Sequence, residues 1–147
     1  MTSFSRAGAA LVLLMLAGPG MAQVVIERPW VRAAPPVASS LAAYMTLTNT
    51  GSTTAHITGA TSPLAGQLHF HRMVGQPDGT MGMQALQAIE LAPGDSVTLK
   101  PGGMHLMLTR LNRVPAAGDQ IRICLRISQA EPVCTLFPVQ RNGPGNP

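Results

Sequence analysis

Residues 120–128 read QIRICLRIS and residues 133–139 read VCTLFPV. Apolar residues recur at every second position of the first stretch, and in the second stretch Thr135 is the one exception. Successive side chains of a β-strand point to opposite faces. Each stretch therefore predicts a strand with one buried face. An antiparallel pairing that sets Ile121 opposite Phe137 brings the two apolar faces together, so the end of the chain predicts a two-stranded hairpin.

The same register sets Cys124 opposite Cys134 on the other face of this hairpin. A cross-strand disulfide is geometrically allowed there, and it would form if the protein is exported to an oxidising compartment. The turn at residues 128–130 lacks the Gly or Asn that three-residue hairpin loops favour. A disulfide and two free thiols therefore both remain open.

Short alternating runs recur along the chain and are separated by Gly, Pro and Asn, whereas helical periodicity is nearly absent after residue 22. Gly and Asn tolerate positive φ and Pro fixes φ, so these separators are turn signals. The pattern predicts one all-β domain, a sandwich or barrel. The predicted strands cover residues 24–28, 42–49, 55–60, 67–74, 81–86, 96–99, 105–111, 120–128 and 133–139.

The first 22 residues have the composition of a cleaved signal peptide. Arg6 precedes an apolar run at residues 9–16, and the small residues around Ala22 suit a peptidase that cuts after it. The run is shorter than the ~20 residues that span a bilayer, and no cysteine at the cut offers a lipid anchor. We expect a signal peptide at 1–22, a domain at 23–140, a flexible tail at 141–147, periplasmic export and no stable membrane insertion.

Charge and carboxylate placement exclude two classes of function. The chain contains ten Lys and Arg residues and six Asp and Glu residues. Removal of Arg6 with the leader leaves nine Lys and Arg and six Asp and Glu, so the net charge becomes +3. This charge is scattered, whereas a nucleic-acid-binding face needs clustered cations, so we expect no nucleic-acid partner. Asp78, Asp95 and Asp119 occur in turn-like contexts, and no Ser/His/Asp or paired-carboxylate arrangement predicts an enzyme.

All four histidines and six of the nine methionines follow residue 22, and most lie in three segments. Residues 67–73 read QLHFHRM, residues 80–84 read TMGMQ, and residues 101–108 read PGGMHLML. Thioether sulfur and neutral imidazole are the ligands that select Cu(I). Since residues two apart share a strand face, the segments predict a strand-built Cu(I) site. Its candidate ligands are His69, His71 and Met73 on one strand, Met81 and Met83 on the next, and His105 and Met107 on a third.

Three other His and Met residues are expected to have no metal role. Met45 and Met104 are interpreted as core fillers, because an isolated methionine usually packs in a core. His56 follows Ala55 and precedes Ile57, and it is interpreted as a surface or hydrogen-bonded residue.

The His and Met pattern resembles that of the periplasmic copper chaperones written PCu(A)C. Members share a His, then a Met, and then a His-x-Met after 21 intervening residues. Here 21 residues separate Met83 from His105-Leu106-Met107, and the glycine pair before the His is matched by Gly102-Gly103. Residues 30–36 (WVRAAPP) and 42–45 (AAYM) also resemble the family's N-terminal pattern.

The first histidine departs from the family spacing. In the family, ten or eleven residues lie between that histidine and the following methionine. His69 has the family-like context Gln67-Leu68-His69 but leaves 13 residues before Met83, whereas His71 leaves 11. Loops accept added length at little cost, so an insertion at residues 74–79 would reconcile His69. His69 is the favoured ligand, and His71 is a substitute or supporting residue.

The resemblance implies a cupredoxin-like Greek-key β-sandwich or barrel that binds one Cu(I) through His69, Met83, His105 and Met107. His71, Met73 and Met81 are possible auxiliaries. It also implies delivery of copper to an apo cuproprotein, either cytochrome c oxidase subunit II at its Cu(A) centre or a thiol-bearing assembly factor. The alternatives are copper storage or resistance, a copper redox protein, and an Ig-like structural module with a Met-rich core.

Overall fold

The computed structural model describes residues 22–144, and these contain ten β-strands and no helix. No helix among them is long and apolar enough to cross a bilayer. The strands are β1 (Val24–Arg32), β2 (Ser40–Asn49), β3 (Ala55–Thr61), β4 (Ala65–Gly75), β5 (Met81–Leu86), β6 (Ile89–Leu91), β7 (Ser96–Leu99), β8 (His105–Leu111), β9 (Gln120–Ile127) and β10 (Val133–Gln140).

The strands follow the order β5-β4-β8-β2-β1-β10-β9-β3-β6, and β7 pairs with β2 beyond the end of β8. Neighbours such as β4, β8 and β2 are distant in sequence, as in Greek-key arrangements. The only parallel pair among the described strands, β1 with β10, joins the two halves of the sheet. The predicted all-β, single-domain sandwich or barrel is confirmed.

One hydrophobic core lies between the two halves. Ile123, Leu125 and Phe137 enter it from β9 and β10, and Leu106 and Leu108 enter it from β8, all with no exposed surface. Each of these runs alternates buried and more exposed positions, so the period of two in the sequence places one face inside. The other face of β8 is thereby turned outward.

The terminal hairpin has the register predicted from the sequence. Ile121 pairs with Phe137, and Cys124 pairs with Cys134. The two cysteines form a disulfide, which resolves the choice left open by the sequence. The turn that lacked a Gly or Asn closes with Gln129 at φ 59°, a left-handed conformation in which glycine is normally preferred.

Removing the disulfide should lower stability without disturbing the core. Cys124→Ser with Cys134→Ser opens a loop of 11 residues, and loop-closure entropy then predicts a loss of about 2.5–3 kcal/mol in the free energy of unfolding. Urea unfolding of the double variant measures it. Leu136→Ser is a matched control, since Leu136 is 53% exposed on the same strand and should cost under about 0.5 kcal/mol. Equal losses for both proteins would contradict the prediction.

Two features differ from the strand predictions. β1 continues through Pro29 to Arg32, because a β-bulge between Glu27 and Trp30, with Arg28 at φ 48°, accommodates the proline. The three-residue β6 was missed, since so short a run carries little periodicity. The predicted signal peptide lies outside the described residues except for Ala22, and so do the last three residues of the predicted tail.

Candidate metal centre

The three segments rich in His and Met form neighbouring strands on one half of the sheet. β4 lies between β5 and β8. Across β4 and β8, His71 pairs with His105 and His69 pairs with Met107. Across β4 and β5, Met73 pairs with Met83. Residues paired across strands share a face, so these six side chains lie on one surface, which we call the His/Met face.

The His/Met face points away from the core because the alternate positions are apolar. Leu68 and Phe70 of β4 are 6% and 2% exposed, and Leu106 and Leu108 of β8 have no exposed surface. Burying these side chains turns the residues between them to the opposite side of the sheet. The hydrophobic pattern therefore presents imidazoles and thioethers together.

The register places His71, and not His69, at the centre of this face. His71 lies opposite His105 and diagonal to both Met107 and Met83, and diagonal neighbours are about 7–8 Å apart. His69 also lies beside Met107, but it is four residues along β4 from Met73, the partner of Met83. At about 3.3 Å per residue that offset is about 13 Å, too far for His69 and Met83 to share an ion without rearrangement.

His105 is oriented by the chain that precedes it. Its Nδ1 lies 3.2 Å from the carbonyl oxygen of Gly103, so a neutral ring donates its Nδ1 proton to that oxygen. The lone pair then resides on Nε2, the tautomer that can bind a metal through Nε2. The Gly103 carbonyl thus leaves Nε2 of His105 as the ring nitrogen able to bind a metal, a contact that sequence spacing did not reveal.

His71 has a donor atom without a partner. Among the described residues its buried Nδ1 finds no hydrogen bond, although buried polar atoms are normally satisfied. Its ring centroid lies 5.8 Å from that of His105. Burial lowers the pKa of His71, and the neighbouring His105 and His69 lower it further. A neutral imidazole with an unsatisfied nitrogen, beside a second imidazole, fits a metal ligand.

Two thioethers share a depression with His105. Met83 and Met107 line, together with His105, a depression of about 350 Å³ whose far wall is the segment 33–35 and Arg32. Met83 is 51% exposed and Met81 is 58% exposed, so their flexible side chains are free to move toward an ion. Within residues 22–144 no three His, Cys, Asp or Glu side chains are grouped closely enough to hold a metal; the cluster combines imidazole with thioether.

A model of the protein family described as "Putative lipoprotein LpqE-like" matches residues 24–139. The chain belongs to the LpqE-like family. A relative from Leifsonia xyli subsp. xyli, "Putative lipoprotein Lxx21020", is 33% identical over 117 residues, which are 80% of this chain and 69% of that protein.

Solved structures with the same fold include PCuAC domains. The copper-bound PCuAC domain from PmoF2 is 24% identical, with a TM-score of 0.68, over 81% of this chain and 93% of the domain. Apo-DR1885 from Deinococcus radiodurans is 26% identical, with a TM-score of 0.61, over 97% of this chain and 96% of that protein. The Cu(I) form of DR1885 is 27% identical, with a TM-score of 0.59, over 86% of this chain and 84% of that protein. The expected PCu(A)C-type fold is confirmed.

The His and Met residues assigned no metal role in this LpqE-like chain lie apart from the His/Met face. Met45 is 2% exposed within the core, and Met104 packs against that core. His56 lies on β3 in the other half, with its Nδ1 3.3 Å from an exposed carboxylate oxygen of Glu90. Met45 and Met104 therefore belong to the core and His56 to the surface, as interpreted from the sequence. Their lack of a metal role stays a prediction.

The lowered pKa of His71 gives a pH prediction for the apoprotein. Because the pKa of His71 is lowered in the folded state, the unfolded chain binds more protons at this residue as the pH falls below its ordinary pKa of 6.5. The contribution of His71 to the free energy of unfolding is therefore retained above pH 6.5 and lost as the pH falls. In an NMR titration the His71 ring should have its midpoint below 6.5. His71→Gln should remove the corresponding pH dependence of unfolding. A midpoint at or above 6.5 would contradict the burial seen here.

Proposed function

We propose that this LpqE-like protein is an exported copper chaperone that binds one Cu(I) ion on the His/Met face and passes it to an apo cuproprotein. The observation that carries the proposal is the placement of His71 opposite His105, with Met83 and Met107 on the diagonals. The likeness to the Cu(I) form of DR1885 supports the same cargo.

The chemistry of these four side chains suits Cu(I) rather than a harder ion. Imidazole supplies a basic nitrogen, and thioether sulfur is a soft, uncharged donor that favours the monovalent ion. Because neither donor adds negative charge, the bound ion keeps its positive charge and is not held as tightly as by thiolates. An ion held in this way can be carried and still be released.

The proposed ligand set is His71, Met83, His105 and Met107. It departs at one position from the set expected from sequence, in which His69 was favoured. The reason is the strand register, which aligns His71 with His105 and offsets His69 along the strand by about 13 Å from Met73, the partner of Met83. His69 then lies at the side of the site next to Met107, and Met73 and Met81 remain auxiliary thioethers on the Met83 side.

Export and delivery belong to the same proposal. The disulfide Cys124–Cys134 is typical of proteins that leave the cytosol, and the relatives bear lipoprotein names. We infer a periplasmic location and, as acceptor, either cytochrome c oxidase subunit II, which carries the Cu(A) centre, or a thiol-bearing assembly factor.

A blue-copper redox function is not favoured by the cysteines. Such a site needs a thiolate ligand beside two imidazoles, whereas both cysteines of this chain are joined to each other on β9 and β10. Addition of Cu(II) should accordingly give no intense visible charge-transfer band.

The stoichiometry of Cu(I) binding tests the proposal. Anaerobic titration of the protein against a chromogenic Cu(I) chelator should saturate at one ion per chain, because the His/Met face holds two paired imidazoles. Met107→Ala should weaken that binding, whereas Met45→Leu, a core change of similar volume, should leave it unaltered. Failure to retain copper through gel filtration would overturn the proposal, and saturation at two ions would assign a second site to Met73 and Met81.

A further inference from the structure

A second depression, of about 450 Å³, opens beside the proposed copper site. We call it the cationic pocket. The side chains that matter for its chemistry are Arg28, Arg32 and Lys100, the hydroxyls of Thr46 and Thr98, and the indole of Trp30. Its volume lies within the range of about 300–1,000 Å³ that small-molecule sites occupy. Nothing in the proposed copper chemistry uses it except the shared wall at Arg32.

The bulge in β1 builds this pocket. Arg28 has a φ of 48° at the point where the pairing with β2 shifts, a conformation that is unfavourable for a residue with a side chain. Bulges redirect side chains, and Arg28, Trp30 and Arg32 then line the pocket together. Strain of this kind is often retained at binding sites.

Among the described residues, the positive charges in the pocket have no Asp or Glu partner. All six Asp and Glu of the chain lie within the described residues, and none of them lines the pocket. The ion pairs among those residues are His56 with Glu90 and Arg113 with Asp119. Three neighbouring cations, with no Asp or Glu beside them within residues 22–144, raise the local positive potential, which favours an anion.

Hydroxyl groups extend the donor set on the floor of the pocket. Arg28 Nη2 approaches Thr46 Oγ1 at 3.5 Å, and Thr46 Oγ1 lies 3.1 Å from Thr98 Oγ1. If Thr46 accepts from Arg28 and donates to Thr98, the Thr98 hydroxyl proton is left to donate to a ligand. A guanidinium-hydroxyl chain of this kind offers donors and no competing negative charge.

An aromatic wall completes the pocket. Trp30 is 6% exposed and lies against Tyr44, with ring centroids 4.7 Å apart. The segment 142–144 forms another wall, since a Cβ at Gly143 would stand 3.1 Å from Trp30 Cζ2. Burial raises the pKa of Tyr44, and the positive charge of the Arg32 guanidinium opposes that rise. The Arg32 charge is therefore close enough to act on the aromatic pair.

From these contacts we propose that the cationic pocket binds a small organic anion. Its carboxylate or phosphate oxygens are held by Arg28, Arg32 and Lys100, and its body packs on Trp30. Arginine forks and lysine are suited to such oxyanions. The proposal is independent of copper binding, because the cationic pocket contains none of the proposed copper ligands.

Trp30 is the only tryptophan of the chain, so its fluorescence reports directly on the pocket. The apoprotein is titrated with citrate and with inorganic phosphate at constant ionic strength, sodium chloride serving as the reference. A saturable change in Trp30 emission is expected with citrate, whereas a response to inorganic phosphate alone would contradict an organic anion as the ligand. A response that only follows ionic strength would also overturn the proposal.

Variants locate the binding. Lys100→Gln and Arg28→Gln change exposed side chains, and each should weaken anion binding at least about tenfold, because a charge-assisted hydrogen bond is lost. Arg122→Gln, an exposed substitution on β9, is the matched control and should leave the affinity unchanged. Equal affinities in all three variants would overturn the assignment. Retained circular dichroism spectra show that a loss of binding is not a loss of fold.

Discussion

His71→Ala is expected to weaken Cu(I) binding at least about 100-fold, more than the 10- to 100-fold typical of residues that only orient a ligand. The substitution removes the imidazole that lies opposite His105 and diagonal to both proposed thioether ligands. The remaining donors are then one imidazole and two thioethers. Competition against a Cu(I) chelator of known affinity, under anaerobic conditions, measures the change.

His69→Ala is the discriminating control for this result. His69 belongs to the same strand and face but is offset from Met83, so its removal should cost less than about tenfold in affinity. His56→Ala, on the other half of the sheet, should cost nothing. If His69→Ala loses copper and His71→Ala retains it, the register argument is wrong and the assignment from sequence context is right.

The terminal hairpin shows what local sequence determines well. Its register followed from matching two apolar faces across a short turn, and Ile121 does pair with Phe137. Only a short loop lies between the strands, so few alternative registers bury both faces. The placement of Cys124 opposite Cys134 then followed without any knowledge of the rest of the fold, whereas the bond between them was left open.

The choice between His69 and His71 shows what local sequence leaves undetermined. Both residues lie on the same face of β4, so periodicity alone cannot separate them. What separates them is the register of β4 against β5 and β8. The β8 pairing joins segments more than 30 residues apart, and counting residues between His and Met measures chain length rather than distance in space.

The cationic pocket was also beyond sequence reasoning. Arg28 and Arg32 come from β1, while Lys100 directly follows β7. They meet because β2 pairs with both of these strands. The bulge that redirects Arg28 follows no motif that could be read in advance, and the strand predicted from the sequence ended at residue 28.

Nearly all of the bound copper is expected to move to a dithiol acceptor. The reason is the donor set, since neutral thioethers and imidazoles hold Cu(I) less tightly than thiolates, which are the softer ligands. The exposure of Met83, 51%, leaves one side of the proposed site open to an incoming thiolate. Ligand exchange can then proceed without unfolding of the sheet, because the core face of β4 and β8 is not involved.

The test mixes the Cu(I)-loaded protein with one equivalent of a reduced, soluble Cu(A) domain, and separately with a reduced thiol-bearing assembly factor. Copper is followed by NMR, through the ring signals of His71 and His105, and by metal analysis after the proteins are separated. An acceptor with alkylated cysteines is the control and should take up little copper. Retention of all copper with both reduced acceptors would assign the protein to storage or sequestration, because a chaperone must lose its cargo to the thiolates it serves.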